Sequence, residues 1–141
     1  MHINLESDYA VRIVHCLAME YLSHSKPEGK RLDAATIADK TSVSPRFTLK
    51  IMRKLVAAGL VKSYKGAHGG YMITQQPDQI TLRQVIEAVE GPYRFSRCMD
   101  GDYTCNCLPM DACPFRSVFD EITQMVIGKL DDTNFGTLAS R

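Results

Sequence analysis

Residues 43–76 constrain the fold most, because they carry six Lys or Arg and no Asp or Glu between a strong helix start and a hairpin pattern. Ser44 can accept an orphan backbone N–H at an N-cap, and Pro45 at the first helical position has no N–H to leave unpaired. Phe47, Ile51 and Leu55 then recur every four residues, so the spacing predicts a short amphipathic helix with these three in the core. Arg46, Lys50, Arg53 and Lys54 fall largely off that stripe. A structural helix face mixes signs, so a run of one sign asks for an anion. Ala58 and Gly59 end the helix, Gly being the residue best suited to a left-handed C′ position. Residues 60–64 then read as a strand, 66–70 as a tight tip and 71–73 as the returning strand. Upstream, a helix over 34–40 buries Ile37 and Ala38, and Thr41, Ser42 and Val43 form the turn. A short helix, a short turn and a basic helix have helix-turn-helix proportions.

The rest of the chain frames this unit. A helix over 5–23 places Tyr9, Ile13, Leu17 and Tyr21 on one stripe, widened by Val14, Ala18 and Leu22. Asp8, near its start, reads on residues alone as a first-turn acid favoured by the helix dipole and paired with Arg12. His15 reads as a surface or partly buried histidine and Cys16 as a small core hydrophobe. Pro27 and Gly29 mark a loop. Thr81 and Gln84 form a capping-box pattern ahead of Leu82, Val85, Ile86 and Val89, and Gly91-Pro92 stops that helix. A last helix begins at Pro114, with Phe115, Val118, Phe119, Ile122, Met125, Val126 and Leu130 as a stripe wide enough to predict dimerisation. The expected fold is mostly α with a small β-wing: a winged helix-turn-helix over 1–92, a cysteine-rich loop over 93–114, and a dimerisation helix and tail over 115–141.

Charge divides along the same line. Residues 1–76 hold eleven basic and six acidic groups, and 77–141 hold six basic and ten acidic, so only the first part faces a polyanion. There is no long uncharged apolar run and no basic-then-apolar start, which predicts a cytoplasmic protein without a membrane partner. No Ser/His/Asp set, carboxylate pair or phosphate-loop ending appears, which argues against an enzyme.

Four of the five cysteines, Cys98, Cys105, Cys107 and Cys113, lie within sixteen residues among Asp, Gly, Asn and Pro. Core packing does not explain cysteines in such company. In a cytosolic chain the cluster reads as metal binding or redox chemistry: an iron–sulfur centre, a zinc site or a thiol switch. Spacing does not choose among them.

The chain resembles the iron–sulfur winged-helix regulators of the NsrR and IscR type. The matching residues are Ser-Asp-Tyr-Ala-Val-Arg at 7–12, Ile-Ala at 37–38, Val-Ser at 43–44, Ala-Gly-Leu-Val at 58–61, Gly66 with Gly69-Gly70-Tyr71, Ile-Thr-Leu at 80–82, Val-Ile-Glu-Ala-Val-Glu-Gly-Pro at 85–92, and the cysteine loop. The resemblance implies a homodimeric transcription factor, usually a repressor, on double-stranded palindromic promoter DNA. A 4Fe-4S or 2Fe-2S cluster near the dimer interface would control its DNA affinity in response to nitric oxide or another redox signal. By the same resemblance Cys98, Cys107 and Cys113 match the ligand cysteines, with Cys105 as the alternative to Cys107, since the gap from Cys98 to Cys107 is longer than usual. Asp8 of the partner subunit stands where nitric-oxide-sensing members place their fourth ligand. The assembly-type regulators use a His three residues after the last Cys, where this chain has Arg116.

For the DNA contact, Arg46 and Lys50 are the expected base or phosphate contacts, Ser44 and Thr48 the hydroxyl donors, and Lys65 and His68 the wing contacts. Two rivals keep much of this picture: a zinc- or thiol-based redox regulator, and a protein-binding winged-helix module with no salt-dependent DNA affinity.

Overall fold

The computed structural model describes residues 2–141. Its centre is α1 (Leu5–Ser23), capped by Asn4, whose side chain accepts from the Ser7 N–H. Ala10, Ile13, Val14, Leu17 and Ala18 recur at three- and four-residue spacing along α1 and are all fully buried. Because they form one continuous stripe, the other elements pack around it. Each large aliphatic side chain so buried, here Ile13, Val14 and Leu17, stabilises the fold by about 1.5–3 kcal/mol.

Against α1 lie α2 (Ala34–Thr41) and α3 (Pro45–Ala57). Ser42 turns the chain between them with a left-handed φ of 54°, and its N–H returns to α2. Ser44 caps α3 and Pro45 opens it, as the sequence predicts. The buried side of α3 is Thr48, Ile51, Met52 and Leu55, whereas Phe47 is only half-buried, edge-on to Tyr9 at 5.6 Å. The core stripe is thus rotated from the expected one: Ile51 and Leu55 belong to it, Phe47 sits at its margin, and Thr48 takes the central place. Gly59 ends the helix at φ 75°.

The wing pairs β1 (Val61–Tyr64) with β2 (Gly70–Ile73), antiparallel, with Val61 opposite Ile73 and Tyr64 opposite Gly70. A bridge from Leu32 to Tyr71 docks the wing on the entry to α2. Gly70 is required at that junction: its φ is 136°, and a Cβ there would meet the Leu32 carbonyl oxygen at 2.8 Å.

The capping box forms in full at the start of α4 (Leu82–Glu90), with Thr81 and Gln84 exchanging side-chain and backbone bonds. Residues 93–113 then contain only two single 3-10 turns before α5 (Pro114–Asp132), whose buried residue is Thr123. A last short helix, α6 (Phe135–Ala139), was not expected. It returns the chain to α1: Phe135 is fully buried, its N–H donates to the Ile80 carbonyl at 3.0 Å, and the Leu82 N–H donates to Thr133 at 2.8 Å. No helix among the described residues is long and apolar enough to cross a membrane.

Candidate nucleic-acid interface and cysteine centre

Since α3 buries Thr48, Ile51, Met52 and Leu55, its opposite face must carry Arg46, Leu49, Lys50, Arg53 and Val56, and all five are exposed. Ser44 is exposed at the N-cap, where its Oγ accepts from the Phe47 N–H at 3.3 Å. On the wing, Lys62, Ser63, Lys65 and His68 are exposed. Thr48 is different. Its side chain is fully buried and its Oγ1 has no protein partner, so it is turned away from any surface that DNA could touch. Of the expected contact residues, Ser44, Arg46, Lys50, Lys65 and His68 reach solvent and Thr48 does not.

Two residues that sequence reasoning overlooked shape this surface. Arg31, just before α2, lays its guanidinium 3.7 Å over the Tyr64 ring and donates from Nη1 to the His68 carbonyl at 3.0 Å, tying the wing tip to the body. Glu6, in the first turn of α1, accepts from both Lys50 and Lys54. Those two bonds, Lys50 first and then Lys54, hold its carboxyl below the ordinary Glu value. Arg31 lies 37 residues from His68 and Glu6 lies 44 from Lys50, so nothing local in the sequence signals either pairing.

The cysteine segment is built with fewer supports. Cys98, Cys105 and Cys113 line one hollow of about 20 Å³ together with Tyr103, Leu108, Met110 and Arg116. Arg116 Nη1 donates to the Cys98 carbonyl at 3.0 Å and so joins the start of α5 to the segment. The Cys98 thiol donates to Ser96 Oγ at 3.2 Å, and Arg94 pairs with Asp100. Backbone N–H groups of Leu108 and then Cys107 hold the Cys105 thiol below its usual value. Cys107 is exposed and outside the lining. Cys16 lies half-buried on α1, where desolvation pushes its thiol up, as befits a packing residue. Asp8 is paired with Arg12 at 2.6 Å one turn along α1 and lies outside the hollow lining.

Three thiols on one wall are a donor set for soft or borderline metals and for iron–sulfur chemistry. In size the hollow admits about one water, so seating a cluster requires residues 99–112 to spread. Among the described residues no three His, Cys, Asp or Glu side chains stand close enough to hold a single metal ion.

Comparison with known proteins bears on the whole chain. The family model named Rrf2, described as an iron-dependent transcriptional regulator, matches residues 3–141. A helix-turn-helix-type transcriptional regulator of Synechocystis is 31% identical over 90 residues, a match spanning 64% of this chain and 57% of that protein, so less than two thirds of its length is covered. The transcriptional regulator NsrR of Bacillus licheniformis is 24% identical over 131 residues, covering 93% of this chain and 87% of that one. The structure of CymR, the global cysteine regulator of B. subtilis, superposes with a TM-score of 0.76 at 27% identity, covering 99% of this chain and 97% of that one. The winged-helix architecture with its small two-stranded wing is shared with CymR.

Proposed function

The chain belongs to the Rrf2 family of DNA-binding transcriptional regulators, and from that premise we propose that it is a dimeric repressor of palindromic promoters, governed by an iron–sulfur cluster that answers to nitric oxide or another redox signal. Its relatives regulate transcription rather than catalyse reactions.

The observation that carries the sensing part is the convergence of Cys98, Cys105 and Cys113 on one hollow at the root of α5. Bound there, an iron–sulfur cluster supplies iron that is reactive toward redox signals and nitric oxide. Cys98 and Cys113 would be the outer ligands. For the middle ligand the lining supports Cys105, whereas family spacing pointed to Cys107. Asp8 of the partner subunit would be the fourth ligand, as the hardest and weakest donor of the set. To reach the centre Asp8 must leave Arg12, an exposed pair of the kind worth at most about 1 kcal/mol.

Support for the dimer comes from α5, where Phe115 is 64%, Val118 49% and Met125 74% exposed. A second copy covers such a face and sets the spacing of two recognition helices on paired half-sites. On α3, Arg46, Lys50 and Arg53 contact phosphates or bases, while Leu49 and Val56 offer apolar contact to thymine methyls.

Anaerobic purification followed by visible absorption, iron and sulfide content, and DNA-shift assays with and without nitric oxide tests this reading. Cys98→Ala and Cys113→Ala are expected to lose iron and the response together. Cys105→Ala compared with Cys107→Ala identifies the middle ligand, and Asp8→Ala is expected to keep a cluster with altered reactivity. A colourless, iron-free protein that still binds DNA in a thiol-dependent manner would instead establish a thiol-based regulator, a second reading favoured by free Cys105 and the exposed, free Cys107 standing two residues apart.

A further inference from the structure

The basic face of α3 is not left free. Phe47 and Lys54 stand on the edge of α3 between its exposed and buried faces, with Lys50 beside them on the exposed face, and across this edge lies the first turn of α1. Glu6 divides its two carboxylate oxygens between the two ammonium groups, Oε1 to Lys50 and Oε2 to Lys54. Lys54 also donates to the Val89 carbonyl at 3.1 Å, so it is anchored to α4 as well. The side chains grade outward: Glu6 is 22% exposed, Lys54 37% and Lys50 51%. Lys50 is therefore the member that an incoming phosphate would meet.

The turn that carries Glu6 is also fixed from behind. Glu90, the last residue of α4, accepts from the Asn4 N–H at 3.2 Å and from the hydroxyl of the fully buried Ser7. The start of α1 is thus clamped to the end of α4, one residue before Gly91 leads into the cysteine segment. As a contribution to stability a solvent-accessible ion pair of this sort is minor. Its effect on DNA binding is larger in kind, because each ammonium that neutralises a phosphate releases counterions, and a carboxylate seated on that ammonium forestalls the release. The helix dipole alone would favour an acid in the first turn of α1, but it does not require that acid to reach across to another helix.

We propose that Glu6 is an internal competitor with DNA phosphate for Lys50 and Lys54, and that it sets the affinity of the recognition helix for DNA. The inference rests on the assignment of the exposed face of α3 as the docking face. DNA binding requires Lys50 to exchange its carboxylate for a phosphate, whereas Arg46 and Arg53 make their contacts with no such exchange. Through Glu90, which accepts from Asn4 and Ser7, the turn that carries the competitor is held at the end of α4.

Glu6→Gln tests this on the full chain. The probe is a labelled duplex of arbitrary sequence, titrated across a series of salt concentrations, with thermal melting on the same samples. The expected result is about three- to tenfold tighter binding at each salt concentration, because Lys50 makes its phosphate contact in both proteins and only the competing carboxylate is removed. Glu6→Asp keeps the first-turn acid but shortens its reach, and a smaller gain in the same direction is expected. In a Lys50→Ala background the gain from Glu6→Gln should shrink, since the two residues share one interaction. Unchanged or weaker binding in both Glu6 variants, or an undiminished gain without Lys50, overturns the proposal. A wild-type chain with no salt-dependent DNA affinity would instead defeat the docking face itself.

Discussion

The helix-turn-helix unit and the cysteine segment are close to opposites in construction. In the first, from Ala34 to Ile73, each regular element sends side chains into the core around α1, and caps and turns fix where it begins and ends. In the second, from Tyr93 to Cys113, no described residue is buried, and order comes from scattered contacts such as Arg116 to Cys98 and Arg94 to Asp100. A surface that must match DNA geometry gains from rigidity. A segment that must accommodate or release a ligand needs low local stability, and few buried contacts provide it.

Three substitutions test the contrast. Phe135→Ala removes a fully buried ring where α6 meets α1, and is expected to cost about 3–5 kcal/mol, read as a lower midpoint in chemical denaturation. A loss under 1 kcal/mol would mean that the C-terminus is no part of the core. Arg46→Ala should leave the melting temperature alone and weaken binding to a cognate promoter by about 1–3 kcal/mol if the side chain reads a base. Equal loss on all sequences would reassign it to phosphate. Smallest is Leu108→Ala in the cysteine segment, expected to change global stability by no more than about 0.5 kcal/mol despite deleting a large apolar side chain. A core-sized loss there would erase the distinction between the two regions.

How far each region was legible follows from the same difference. Ser44-Pro45, Gly59 and the Thr81/Gln84 box announce their elements because capping chemistry is local. The rotation of α3 was also readable: Thr48, Ile51, Met52 and Leu55 share helical spacing, but a polar Thr was set on the outer face when it belongs to the core. α6 escaped notice because five residues are too few for periodicity, and its single decisive residue, Phe135, has no local context. Glu6 with Lys50 and Lys54, Glu90 with Ser7, and Arg31 with Tyr64 and His68 all join residues far apart in the chain, and pattern alone does not pair them. The family resemblance pointed to Cys107 with Cys105 as the alternative, and Cys105 is the one that lines the hollow; in an irregular loop side-chain direction follows no period that could be counted.

The return of α6 to the core has a mechanical consequence for α5. That helix is pinned at its far end by Arg83 to Asp131 at 2.9 Å and by the Leu82 bond to Thr133, while its near end, at Pro114, adjoins the cysteines. Midway, the buried Thr123 hydroxyl also accepts from the Phe95 N–H at 3.3 Å, so the helix is held at its middle as well as at its C-terminal end. At a rise of about 1.5 Å per residue Pro114 stands about 14 Å from Thr123, so a shift of about 1 Å at the cysteine end corresponds to a tilt of about 4° about that buried hydroxyl.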